Sequence, residues 1–238
     1  ILNRATPVFV TRSSFLTCSL QSRIVLHQAP RSRRCALYAG RMPDTCAAIV
    51  LAAGAGSRYT GAHHKLTAPL PESGPGPALS VIERALASVL AADIGPVIVV
   101  TGAAVDIVPA HLAGRVTIRH NDRWTDGQIT SLRAGLEAAG DLGCTTAVVG
   151  LADQPFVTPA AWRAVAAAAG PIAVATYDGQ RANPVKLDTA VWPLLPTTGD
   201  EGARALMRVR PDLVREVPCT GSPADIDTEE DLRRWQNN

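Results

Sequence analysis

The chain has 238 residues, 47% of them hydrophobic and 18% charged, with a formal net charge of +2, enough for one well-packed domain or at most two small ones. The total conceals an asymmetry: residues 1–41 hold seven arginines (Arg4, Arg12, Arg23, Arg31, Arg33, Arg34 and Arg41) and no acid, which leaves 16 basic against 21 acidic residues after them, a net of −5. An acidic folded part argues against bulk nucleic-acid binding, and no stretch approaches the roughly 20 apolar residues of a membrane span.

In chain order, residues 1–41 mix arginine and serine with short apolar runs and lack the continuous apolar core of a signal peptide. They are predicted to form a basic extension outside the core. Their composition would also suit a transit peptide, whereas Met42, followed by a strand-like segment, favours a start at that residue and a domain over 42–238. Short, β-branched apolar runs follow at 47–51, 97–101, 116–119, 146–150 and 172–176, separated by helix-like segments that include 79–90, 131–139 and 159–168. Helices between near-continuous apolar strands predict an α/β fold with a mostly parallel sheet buried on both faces. Ligands of such sheets bind at the carboxyl ends of the strands. The low-complexity patch PLPESGPGPA at 69–78 reads as a mobile loop. The five cysteines, Cys18, Cys35, Cys46, Cys144 and Cys219, form no C-x-x-C pair and have no histidine at metal spacing, which fits a reduced cytoplasm. Cys46 and Cys144 lie in apolar segments and are expected to act as small hydrophobes.

The stretch LAAGAGSRYTGAHHKL, residues 51–66, places a glycine loop at the end of the first strand. Gly54 and Gly56 allow positive φ and close approach, so that successive N–H groups can converge on anionic oxygens. Arg58 and Lys65 add permanent positive charge. The pattern G-x-G-x-x-G fails at Tyr59, and G-x-x-x-x-G-K-[ST] fails at Ala62, so neither a dinucleotide-binding turn nor a P-loop is supported. From spacing alone, a glycine-rich turn with solvated charges fits equally well.

The stretch resembles the signature L-A-A-G-x-G-x-R-x-G-x-x-K of the molybdopterin nucleotidyltransferases, and the similarity continues down the chain. NDRWTDGQITSLRAGL (121–136) resembles the family's N-x-x-W-x-x-G-x-x-x-S-L-x-x-G block. LADQP (151–155) resembles its D-x-P metal motif, GDEGAR (199–204) its G-D-x-G-A-R segment, and DIDTEEDL (225–232) its closing D-I-D-T-x-x-D-L. The resemblance implies a Rossmann-like, three-layer α/β/α fold of the glycosyltransferase-A type. It also implies Mg2+-dependent transfer of a nucleotidyl group to the terminal phosphate of molybdopterin or molybdenum cofactor, with release of pyrophosphate. Within the family the pattern is most similar to the cytidylyltransferases, and Ala53 in place of a second glycine favours CTP over GTP. A guanylyltransferase of the same family is one alternative. A non-catalytic cofactor carrier that docks on a molybdenum hydroxylase is another.

The resemblance assigns Leu51, Ala52, Ala53, Gly54, Gly56, Arg58 and Lys65 to the nucleotide, with Arg58, Lys65 and Asp153 as the catalytic groups. Asp153 and Asp227 are the metal ligands, Asp225 being the weaker choice, and Asn121, Gly127, Ser131 and Asn183 border the pocket. Magnesium needs one or two protein carboxylates when a nucleotide supplies the remaining oxygens. Structural roles compete for several of these positions. Asp153 could cap a helix starting near Thr158, Ser131 could bond within its helix, and Trp124 could be core. Thr228 and Asp231 read as a capping pair, and His63 and His64 as solvated. Two departures stand out: an extra residue between Arg58 and Gly61, and Ala182-Asn183-Pro184 where relatives have G-H-P. Asn183 can hydrogen-bond a pterin or a phosphate, but it has no acid–base function.

Overall fold

The computed structural model describes residues 46–61, 63–70 and 78–234. The extension expected over 1–41, with Cys18 and Cys35, lies outside them, as does most of the loop expected at 69–78. Among the described residues, seven strands, β1 (Cys46–Ala52), β2 (Val97–Thr101), β3 (Thr117–His120), β4 (Thr146–Leu151), β5 (Ile172–Tyr177), β6 (Gln180–Asp188) and β7 (Val214–Pro218), are interspersed with six α-helices. These are α1 (Val81–Ala92), α2 (Ala110–Ala113), α3 (Gln128–Asp141), α4 (Pro159–Ala167), α5 (Arg204–Val209) and α6 (Glu229–Arg234). The strands form one sheet in the order β3-β2-β1-β4-β6-β5-β7. Only β6 runs antiparallel to its neighbours β4 and β5, so the expected mostly parallel α/β fold is the one observed.

Alternation along β1 builds the layers. Ala48 and Val50 face one cluster with Ile82 and Leu86 of α1 and Trp162 and Val165 of α4. Ala47 and Ile49 face the other, with Ile129, Leu132 and Leu136 of α3 and Met207 of α5. Both faces of the central strands are thereby removed from water, which is why β2 reads as an unbroken apolar run, VIVVT, buried at every position. Cys46 packs against the first cluster and Cys144 is buried in the second. Burial pushes the Cys46 thiol up to about 11, with Cys144 adding to the rise and Lys186 opposing it, so it behaves as the inert hydrophobe expected. Among the described residues, no helix is long and apolar enough to cross a membrane.

Local signals set the helix boundaries. Ser80 caps α1 in a reciprocal box: its Oγ accepts from the Glu83 N–H at 3.4 Å, and Glu83 Oε2 accepts from the Ser80 N–H at 2.7 Å. Ser80→Ala is expected to cost about 1 kcal/mol of stability, read as a lowered urea midpoint. The Ser80 backbone and hydroxyl bonds hold the Glu83 carboxyl below its ordinary value of 4.5. A lowered folded pKa stabilises above the unfolded value, and the contribution disappears as pH falls through the folded one. The Ser80→Ala penalty is therefore expected to shrink in acid.

Candidate active site

The parallel register places Leu51 of β1 opposite Leu151 of β4, and the Ala152 N–H donates to Leu51 O at 3.0 Å. The glycine loop and Asp153 thus leave the sheet side by side at its carboxyl edge. β1 runs one residue beyond the expected end, to Ala52, and Ala53 is buried beneath the loop. From Gly54 to Arg58, none of the backbone N–H groups donates to an acceptor among the described residues. Five consecutive bare donors on a largely exposed loop form a ready anion cradle.

The two glycines contribute differently. Gly56 has φ +62°, and its missing Cβ leaves room for the Lys65 stem, whose Cγ would lie 3.1 Å away. Gly54 does not have positive φ, contrary to the expectation for both, and a Cβ built there meets no atom within 4 Å. Nothing in the fold requires glycine at 54, so the open space above it is where a ligand can approach the backbone.

Lys65 opens a one-turn 3-10 helix, Lys65–Thr67, anchored by the buried Leu66 and capped by His64, whose Nδ1 accepts from the Leu66 N–H at 3.3 Å. His64 is therefore a half-buried cap instead of a solvated side chain, while His63 is exposed as expected. The residue added between Arg58 and Gly61 is absorbed in the loop before this turn, where a Cβ on Gly61 would overlap the Tyr59 ring at 2.3 Å. Lys65 still reaches the centre of the site. Its Nζ donates to Asp153 Oδ2 at 2.6 Å and to Asp227 Oδ1 at 2.9 Å, and Arg58 Nη2 pairs with Asp227 Oδ2 at 3.0 Å. The four charged residues read from the sequence converge here.

Their surroundings differ. The Lys65 side chain is 10% exposed, and burial pulls its pKa down, but the Asp153 and Asp227 carboxylates more than offset that and leave it above the ordinary lysine value. The Arg58 side chain is 75% exposed, so its pair with Asp227 holds it weakly and leaves it available to a ligand. Thr158, not Asp153, caps α4, its Oγ1 accepting from the Ala161 N–H at 3.2 Å. Asp153 instead fixes the last segment: its backbone carbonyl accepts from the N–H of the fully buried Ile226 at 2.9 Å. Asp227 follows directly, held in turn by the expected Thr228–Asp231 pair, in which Asp231 Oδ2 accepts from the Thr228 and Asp227 N–H groups. Desolvation, with the Asp153 charge adding to it, raises the Asp225 carboxyl above its ordinary value while Gln154 opposes the rise.

A divalent cation fits these residues. Asp153 Oδ1 is buried without a hydrogen-bond partner, and two carboxylates already share one ammonium. Among the described residues no group of three or more His, Cys, Asp or Glu side chains could hold a metal. The donor set is that of an ion completed by phosphate oxygens rather than of an all-protein cage.

The remaining predicted positions lie in networks of their own. Asn121 Nδ2 donates to Thr130 Oγ1 and to Ser131 Oγ, both at 2.9 Å, and its Oδ1 accepts from the Arg123 N–H, so its amide is used inside the protein. Trp124 is half-buried on a short 3-10 turn and not in the core. Gly127 has φ +105° and brings the start of α3 against the 199–204 segment, where a Cβ would lie 2.5 Å from Gly199 O. Asn183 donates to Gln154 Oε1 at 3.1 Å, and the buried Gln154 donates to Pro223 O. Gln154 stands between Asp153 and Pro155 in the LADQP motif, where an uncharged side chain carries no sequence signal of its own.

Residues 48–216 match the family described as "MobA-like NTP transferase domain". The chain is 30% identical over 202 residues to the nicotine blue oxidoreductase of Paenarthrobacter nicotinovorans, across 78% of this chain and 94% of that one. Similar solved structures include a nucleotidyl transferase from Methanothermobacter, at 25% identity and a TM-score of 0.68 over 82% of this chain and 97% of that one. Rv0371c of Mycobacterium tuberculosis has 28% identity and a TM-score of 0.68 over 82% of this chain and 100% of that one, and it has also been solved in complex with manganese. With the glycine loop, the paired cations and the two carboxylates at one sheet edge, these matches make the chain a nucleotidyltransferase and a member of the MobA-like NTP transferase domain family.

Proposed function

We propose that the protein transfers CMP from CTP to the terminal phosphate of molybdopterin, or of its molybdenum-loaded form, with Mg2+ and with release of pyrophosphate. The observation that carries this reading is the convergence of Arg58, Lys65, Asp153 and Asp227 beside five bare backbone amides. Magnesium, when bound, supplies positive charge to the triphosphate oxygens, and Asp153 and Asp227 are the residues that would hold it. The loop amides from Gly54 to Arg58 bind the β- and γ-phosphates and steady them as they leave. Arg58 gives up its weak pair with Asp227 to grip the same oxygens. A phosphate monoester is already an anionic nucleophile, so the protein needs no general base and acts by positioning and charge neutralisation. Asn121, Gly127 and Ser131 act on the pocket wall, and Asn183 on the acceptor. Transient docking on a molybdenum hydroxylase, in a cytoplasmic setting, would complete delivery of the product.

The Paenarthrobacter relative is named as an oxidoreductase, but the loop in this chain has Tyr59 where a dinucleotide turn would carry its third glycine, which favours nucleotidyl transfer. The test incubates the protein with Mg2+, molybdopterin cofactor and either CTP or GTP, and follows the dinucleotide product and pyrophosphate by chromatography. Product with CTP alone is expected. Product with GTP would overturn the nucleotide choice, binding without turnover would favour the carrier, and oxidation or reduction of nicotine blue would favour the chemistry for which the relative is named.

A further inference from the structure

The two carboxylates at the centre of the site come from distant parts of the chain. Asp153 follows β4, whereas Asp227 belongs to the segment between β7 and α6. Both reach one ammonium, Lys65 Nζ, at 2.6 and 2.9 Å. That meeting requires the later segment to be held in register with the exit of β4.

The register is visible as a series of ties to residues 153–158. Thr158 Oγ1 donates to Thr220 O at 3.1 Å, and the Ser222 N–H to Phe156 O at 3.3 Å. Nearer the site, Gln154 Nε2 donates to Pro223 O at 2.9 Å, and the Ile226 N–H to Asp153 O at 2.9 Å. The last two ties bracket residues 223–226, directly before Asp227. The Ile226 tie is backbone to backbone, but the Pro223 tie depends on a side chain.

That side chain is itself fixed from the other end. Gln154 is only 5% exposed, and its Oε1 accepts from Asn183 Nδ2 of β6 at 3.1 Å. Its amide thus bridges a strand of the sheet and the segment that carries Asp227. The bridge needs a group that donates and accepts at once, because Pro223 has no N–H to offer and Asn183 presents one. A thioether of similar length would leave both partners without Gln154.

We infer that Gln154 is a positioning residue for the cation: by tying Pro223 to β6 it holds Asp227 where it and Asp153 can meet one divalent ion. The inference rests on the function proposed above only for the assignment of that ion to Asp153 and Asp227.

The test titrates Mn2+ alone into the wild type, Gln154→Met and Ile98→Ala, read by electron paramagnetic resonance of the free ion. Ile98→Ala is a control for lost stability, since Ile98 is buried in β2 on the opposite face of the sheet from Ile226. Both variants are expected to lower the urea midpoint. Mn2+ affinity should fall about tenfold in Gln154→Met and stay within about twofold in Ile98→Ala. Hydrogen exchange at the Ile226 amide should rise more in Gln154→Met than in the control. In turnover, the Mg2+ concentration for half-maximal rate should rise about tenfold, with the rate at saturating Mg2+ little changed. If Gln154→Met does not fold, Asn183→Ala, which removes only the bond that orients the amide, should still weaken Mn2+ binding by about threefold. An unchanged Mn2+ affinity in the folded variant, an equal loss in Ile98→Ala, or a wild type that binds no Mn2+ at millimolar concentration would overturn the inference. If no nucleotide supports transfer while the Mn2+ titrations behave as expected, the proposed function fails and the role of Gln154 stands.

Discussion

Replacing Asp153 by asparagine is expected to lower pyrophosphate release by about a hundredfold to a thousandfold while the fold survives. The size follows from the loss of a preorganised charge at the reacting phosphates, for which removal of a single stabilising group costs about 3–4 kcal/mol. The fold should survive because asparagine keeps the shape and still accepts from Lys65, Asp227 continues to compensate the ammonium, and the Asp153 carbonyl that fixes Ile226 belongs to the backbone. Thr158 already caps the following helix, so no helix end depends on the carboxylate. Circular dichroism and the thermal midpoint would establish integrity, and chromatography of pyrophosphate the rate. Turnover near the wild-type level would remove Asp153 from the metal site.

Asp153 also illustrates how far the sequence could be read. The strands β1, β2 and β4 and the helices packed on them were legible to within a few residues, since strands buried on both faces need uninterrupted apolar runs. β6 and β7 were not. β6 begins with exposed Gln180 and Arg181, contains Pro184, and pairs with β5 through a register shift at Val174/Ala175, so it offers neither a run nor an alternation. β7 pairs only with β5 and exposes Arg215 and Glu216. The site divides in the same way. Arg58, Lys65, Asp153 and Asp227 stand out through their motifs, but what joins Lys65 to both acids is a 3-10 turn and a buried Ile226 separated by about 160 residues.

The second large effect concerns Lys65. Without nucleotide its ammonium occupies the space between Asp153 and Asp227, at 2.6 and 2.9 Å, where it serves as the cation that the two carboxylates require. A divalent ion must therefore displace a buried lysine, and it is expected to bind weakly until a triphosphate offers Lys65 another anionic partner. Lys65→Met keeps the stem that packs under Gly56 and removes the charge. Two neighbouring carboxylates are then left uncompensated, and Mn2+ binding in the absence of nucleotide is expected to tighten by about tenfold, read by electron paramagnetic resonance of the free ion. The gain in Mn2+ affinity that CTP produces in the wild type should shrink accordingly, and turnover should fall by at least about a hundredfold because the phosphates lose their lysine. A Mn2+ affinity that stays the same or weakens in Lys65→Met would show that the ammonium does not compete for the site. In that event the lysine acts on phosphate alone, and the ordered arrival of nucleotide and metal loses its physical basis.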